Sequence, residues 1–399
     1  MTKYPSLVAF IWLLAAPLTL AEQTATTSSD RMELGRLANG ATVVFVRSNR
    51  EWGIEVAGGT APSLTQPKPA QIEVFAGGTA RQLAAGYQSV NKEGGSVVAI
   101  AKVAGEGQAA FAIEDRWTVS GAALSLSRKV SVTTAEDNAG FYSAIKLSTG
   151  PAAKWADANC LVPGLTYGNA AGSGGGRGGA TTGGARRYSL REDLLSAPMI
   201  SVMFQGGNWA AVLDPAPEGD TTAAETAGGA GTIIDERIMF GALGAQEAAG
   251  GGAELGFWLP GTTVGTAGGF GRRGGADGAD AVQRRYHPVK AGFTQSCQVA
   301  FRFGKSENFR DMEREAWRWA WASLKPKITP VDIELVRKSL ADHLADHVVV
   351  VDDRAGVPFV IDAVSGKPGS FRPGGRQREQ PNEEVANWAN PTFDTGKAF

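Results

Sequence analysis

Carboxylates, an arginine and aromatic rings crowd the stretch from Tyr188 to Glu225. It holds Arg191-Glu192-Asp193, then Asn208-Trp209, then Asp214 followed by Glu218, Asp220 and Thr221, and last Glu225. Carboxylates accept hydrogen bonds from hydroxyl groups, and rings stack on sugar faces, so this set suits carbohydrate recognition. Paired carboxylates also drive glycoside hydrolysis, one as acid and one as base or nucleophile. The bland alternative is a network of salt-bridged turns at strand ends beside a solvated loop. The candidate substrate-binding residues are Arg191, Glu192, Asp193, Trp209, Asp214, Glu218, Asp220 and Glu225. None is assigned a catalytic role.

Other chemistry is thinly supported. His343-Leu-Ala-Asp346-His347 sets two histidines on one helical face, a spacing that zinc ligands use. It resembles the H-x-x-E-H pattern of inverted zincins, with Asp346 one carbon shorter than the expected glutamate. No third ligand is marked, and histidines in a last helical turn also complement its negative end. No metal is expected, and His343 and His347 are the candidates should one bind. Gly174 to Gly179 spells G-x-G-x-x-G without a strand before it or a helix after it, so no dinucleotide cofactor is expected. Gly274 to Asp280 is a single glycine–aspartate run rather than a calcium repeat array. There is no G-x-S-x-G elbow, and His287, His343 and His347 are the only histidines. No cofactor of any kind is inferred.

The elements that must position these residues read as strands. Asn39-Gly40 before Thr42–Val46 signals a hairpin, and Trp52, Ile54 and Val56 alternate with polar or small neighbours. Further strands are expected at Ile72–Phe75, Ser96–Val103, Ala109–Ile113, Arg116–Ser120, Ala122–Ser127, Lys129–Thr133 and Tyr142–Leu147. Five more follow at Met199–Phe204, Trp209–Leu213, Thr232–Phe240, Glu254–Leu259 and Gln298–Phe303. Spacing near ten residues, with no helical period before Ser306, predicts a large antiparallel β-sandwich. Glycine-rich excursions interrupt it at Gly168–Gly184, Gly228–Gly231 and Gly250–Gly278.

At Ser306 the period changes. Phe309, Met312, Ala316, Trp319, Ala320 and Leu324 mark one helical face, with Ser306 as the expected N-cap and Pro326 as the stop. Trp317 and Trp321 share a different face; they could form a sugar platform, but a core position, packing the helix onto both the sandwich and a following domain, is the expectation. Thr329-Pro330 should open a second helix with Ile333, Val336, Leu340 and Leu344 as its apolar stripe. The basic, glycine- and proline-rich run Gly366–Pro381 and a short helical signal at Glu383–Trp388 precede Phe399, where a helical domain is expected to be incomplete.

Composition bounds the rest. The chain has 399 residues, 43% hydrophobic and 20% charged, with a formal net charge of −1. That balance offers no electrostatic case for nucleic acid or an anionic membrane. Lys3, the apolar run Leu7–Leu20 and small residues at Thr19 and Ala21 read as a signal peptide cleaved before Glu22, hence a secreted or periplasmic protein with no membrane contact after cleavage. An oxidising compartment permits a disulfide between Cys160 and Cys297, the only two cysteines; two buried free thiols are the alternative.

The order of parts, with Arg314–Pro326, Thr329–Leu344, Tyr188–Asp193 and Asp214–Thr221, resembles the N-terminal portion of bacterial secreted six-hairpin, (α/α)6-toroid glycosidase-like proteins. The resemblance implies a signal peptide at 1–21, a linker at 22–30, a β-supersandwich at 31–304, a linker helix at 305–328 and the start of an α-helical domain at 329–399. It also implies a non-catalytic sandwich beside a helical catalytic domain of a glycan-processing protein. The general acid and base of such enzymes lie mainly in the toroid, so no catalytic residue carries over to this sequence. The alternative is a secreted sandwich that binds carbohydrate or acts as a scaffold.

Overall fold

A computed structural model describes residues 30–105, 109–164, 166–169, 187–218, 231–248, 251–262 and 283–346, with short stretches at 348–351, 354–356, 360–361, 368–371 and 377–379. The expected signal peptide, most of the glycine-rich excursions, Asp220, Glu225 and His347 lie outside the described residues.

The first half of the sandwich comprises β1 (Arg31–Arg36), β2 (Thr42–Ser48), β3 (Glu51–Ala57), β4 (Leu64–Gln66), β5 (Ala70–Ala76), β6 (Thr79–Ala85), β7 (Ser89–Glu93), β8 (Ser96–Ala104), β9 (Ala110–Ser120), β10 (Ala123–Thr134) and β11 (Gly140–Thr149). The second half comprises β12 (Asn159–Val162), β13 (Thr166–Asn169), β14 (Arg187–Arg191), β15 (Met199–Met203), β16 (Asn208–Leu213), β17 (Gly231–Ile234), β18 (Ala242–Glu247), β19 (Ala253–Leu259), β20 (Gln283–Pro288) and β21 (Thr294–Lys305). Two helices follow, α1 (Phe309–Leu324) and α2 (Ile333–Asp346).

The protein is mainly β. One sheet runs β1-β2-β3-β4-β11-β19-β18-β14, with β5, β6, β17 and β20 attached around β11. The other runs β13-β12-β15-β16-β21-β10-β9-β8-β7. Pairing is antiparallel except for β17 on β20, which is parallel. Alternation builds the core: Val43 and Phe45 of β2, Phe111, Ile113 and Trp117 of β9, and Phe257 of β19 all point between the sheets. The Asn39-Gly40 signal is a hairpin turn, with Gly40 at φ +86°.

Several expectations need correction. Ala109–Ile113 and Arg116–Ser120 are one strand, β9, and Ala122–Ser127 with Lys129–Thr133 are one strand, β10. Asp115 and Arg128, which lie between the expected strand segments, face each other in register and form a fully buried ion pair. Arg128 also donates to Ala144 O (2.7 Å) in the opposite sheet and to Pro69 O (3.0 Å) beside its β5. Tyr87 donates to Asp115, and the Trp117 indole donates to Tyr87. Of Thr232–Phe240, only Ile234 and the residues before it are strand; an Asp235 side-chain turn to Arg237 N–H (2.9 Å) ends it. Strands β4, β6, β7, β12, β13, β14, β18 and β20 are not among the expected ones; runs such as Ala242–Glu247 and Gln283–Pro288 lack β-branched residues.

The helices also begin elsewhere. Asn308, not Ser306, caps α1, its side chain accepting from Asp311 N–H at 3.1 Å. Ser306 instead accepts from the Trp209 indole at 3.0 Å. The stop is as expected: Lys325, just before Pro326, is left-handed at φ +45°. Asp332 rather than Thr329 supplies the side-chain acceptor at the start of α2, to Leu335 N–H at 3.0 Å. Met312, Ala316, Trp319 and Ala320 seat α1 on the outer face of the second sheet, against Leu161, Met199, Trp209 and Leu213. Trp317 packs at the edge of that cluster, but Trp321 is 58% exposed. The predicted stripe of α2 is uncovered too, with Ile333 73% and Leu340 59% exposed. Among the described residues no helix is long and apolar enough to cross a membrane.

A buried carboxyl pair as candidate functional site

The candidate residues divide by position. Arg191 closes β14, an edge strand of the first sheet, and Glu192 and Asp193 form the single helical turn after it. Asp214 follows β16 of the second sheet. The fold brings Glu192 and Asp214 together although they lie on different sheets. Trp209 is not part of this group: it is fully buried beneath α1, with Arg302 5.8 Å from its ring centroid and Gly304 so close that a β-carbon there would meet the ring at 2.6 Å. Glu218 is exposed, near enough for its charge to act on Asp214.

Glu192 is clamped at Gly241. Its N–H donates to Gly241 O at 3.1 Å, and its Oε1 accepts from Gly241 N–H at 2.6 Å. Glycine is needed there, since a β-carbon would sit 2.2 Å from the Phe257 ring. Asp214 donates its N–H to Pro198 O (3.0 Å) and accepts from Ala216 N–H through Oδ1 (2.8 Å). Glu192 Oε2 is buried and meets no protein donor. The Asp214 carboxyl lies within side-chain hydrogen-bond reach of Glu192, and a bond between two carboxyl groups requires a proton. Burial, and then the Asp214 charge, push the Glu192 carboxyl up to about 9. Burial also raises Asp214.

Arginines flank the pair without neutralising it. Arg191 forms a two-point ion pair with Asp193 (Nε to Oδ1 2.9 Å) and lies 4.2 Å from the Phe240 ring centroid, with Arg285 5.6 Å away. The segment carrying Phe240 and Gly241 is fixed by His287, which bonds Ile238 O at 2.6 Å through Nε2. Gln295 donates to His287 Nδ1 at 2.8 Å, which places the imidazole proton on Nε2. Burial holds this imidazole down to about 4, neutral over the physiological range. Nothing in the sequence marked Gly241, Phe240, Arg285 or Gln295, since their importance lies in what they touch.

Chemically, this is a protonated acid beside a carboxylate, a combination able to move protons. Yet Glu192 is 4% and Asp214 5% exposed, which leaves a sugar ring no access to the pair. Of the candidate carboxylates described, Glu218 is exposed, while the Asp193 side chain is 19% exposed and held by Arg191.

The two cysteines do not pair. Cys160 lies in β12 and Cys297 in β21, with β15 and β16 between them in the sheet. Burial raises both thiols, Cys297 to about 12, so both are inert neutral groups. Among the described residues no set of three His, Cys, Asp or Glu is arranged to hold a metal; His343 lies on α2.

No family model matches the sequence. No curated protein matches it either. Solved structures resemble it at low identity. A galactose mutarotase related enzyme from Lactobacillus acidophilus matches at 11% identity and TM-score 0.34, over 70% of this chain and 99% of the other. A GH36 alpha-galactosidase from Geobacillus stearothermophilus matches at 9% identity and TM-score 0.37, over 72% of this chain and 43% of the other. A GalM/aldose epimerase homologue from C. elegans matches at 10% identity and TM-score 0.31, over 69% and 99%. These structural neighbours are carbohydrate-processing proteins.

Proposed function

We propose that this chain is the non-catalytic sandwich portion of a secreted, six-hairpin-like glycan-processing protein, and that α1 and α2 seat its α-helical catalytic domain. One observation carries the reading: α1 is anchored to the sandwich by one face while Trp321, on another, is 58% exposed, and Ile333, Val336 and Leu340 of α2 are exposed as well. A helix that joined only to the sandwich would carry polar residues there. The burial of Glu192 and Asp214 supports the absence of catalysis in the sandwich itself.

A glycan-degradation panel tests this with two proteins: the 399-residue chain, and the full product of its coding region. Cleavage by the full product and none by the chain alone is expected. Cleavage by the 399 residues alone would remove the non-catalytic reading, and no effect of either on a broad panel would remove the glycan reading. Exposed Glu218, an acceptor suited to sugar hydroxyls, favours a second reading, a carbohydrate-binding sandwich with no enzymatic partner. Glycan-array binding by the 399-residue chain that disappears in a Glu218→Ala variant would select it.

A further inference from the structure

We propose that Glu192 and Asp214 form a proton-dependent clasp between the two sheets, in which one shared proton holds the Glu192–Leu194 turn of the first sheet against the end of β16 in the second. The argument begins with geometry. Two carboxyl groups, each at least nine-tenths buried, lie within side-chain hydrogen-bond reach of each other, and Glu192 Oε2 meets no donor among the described residues. Two acceptors cannot bond without a proton, and two buried like charges in contact repel.

The surrounding groups do not relieve that repulsion. Arg191, on Glu192's own segment, is committed to Asp193. Arg285, on β20, lies against Phe240. From β21, Cys297 contributes a neutral thiol, and His287 on β20 is neutral and bound to Ile238 O and Gln295. Glu218, beyond Asp214, adds a further negative charge. A proton is therefore the neutralising partner within reach.

The clasp has a distinct response to pH. The folded state keeps a proton that an unfolded glutamate releases above its ordinary value of 4.5, so stability falls as pH rises from there to about 9. Once the proton is lost, the two carboxylates push the sheets' ends apart. This inference is independent of the glycan reading.

Carboxyl carbon resonances of the 399-residue protein, with thermal unfolding from pH 5 to 9.5, test it. The expected result is a Glu192 resonance of a protonated acid at pH 7 that titrates near 9. Wild-type Tm should drop by several degrees from pH 6.5 to 9, while Glu192→Gln, whose amide can donate to Asp214 without a titrating proton, loses that drop. A Glu192 resonance that titrates in the ordinary carboxylate range, or the same alkaline drop in Glu192→Gln, overturns the proposal. If Glu192→Gln does not fold, Asp214→Asn replaces it: Glu192 should then titrate at least tenfold more readily, and an unchanged titration counts against the clasp.

Discussion

At the scale of single residues, the sandwich depends on polar groups placed where only apolar ones were expected. Asp115 and Arg128 are both fully buried and joined by two charge-assisted bonds, Nε to Oδ1 at 2.8 Å and Nη2 to Oδ2 at 2.6 Å. Two further guanidinium N–H groups reach Ala144 O in the opposite sheet and Pro69 O beside its β5, so one side chain ties both layers. Taking two charges from water is costly, and these four guanidinium bonds offset it. Asp115→Ala would strand the guanidinium and should cost about 3–5 kcal/mol in urea unfolding. Replacing both, Asp115→Leu with Arg128→Met, should cost far less than Asp115→Ala alone; an equal or larger loss would show that the bonds to Ala144 and Pro69 dominate. The same logic explains why the cysteines are not a disulfide. Cys160 is buried and Cys297 half-buried, with two strands between them in the sheet, and their spacing in sequence says nothing of strand order.

At the scale of elements, α1 has two faces with different duties. Trp319 is 7% exposed in the cluster beneath the helix, whereas Trp321 is 58% exposed. Trp319→Ala should therefore lower stability by about 3–5 kcal/mol, the usual cost of removing a buried aromatic. Trp321→Ala should change it by less than about 0.5 kcal/mol in this chain. Asn308→Ala removes the cap at Asp311 N–H and should cost about 1 kcal/mol, while Ser306→Ala acts through Trp209 instead. Chemical denaturation of the four variants separates these effects. The period of Phe309, Met312, Ala316 and Trp319 was legible because an amphipathic face needs only local geometry. The choice of Asn308 over Ser306 as cap was not, since Ser306 is occupied by an indole 97 positions away in sequence.

At the scale of the whole molecule, two buried titrating groups pull stability in opposite directions. His287 is held neutral down to about 4, below its ordinary 6.5. The unfolded chain binds its proton first, so stability falls as pH drops from 6.5 toward 4. Glu192 retains its proton up to about 9, so stability falls as pH climbs from 4.5 toward 9. The two offset one another between about 4.5 and 6.5, each at about 1.4 kcal/mol per pH unit at most. Unfolding free energy from these groups should be nearly level there and decline on both sides. A His287→Gln variant should lose the acid decline and keep the alkaline one, as read by urea midpoints across pH.

The β-sandwich and the change to helix near Ser306 were readable from sequence, because alternation, turn residues and a 3–4 spacing are properties of neighbouring positions. The cluster at Arg191, Glu192, Asp193 and Asp214 was readable as a set of types, but not as a buried pair. Which strands lie side by side, whether Asp115 breaks a strand or anchors it, and whether Trp209 faces solvent or the underside of a helix were decided only in three dimensions. The reason is that burial and strand pairing join residues far apart in the chain, and a charge or a ring takes its role from what is packed against it.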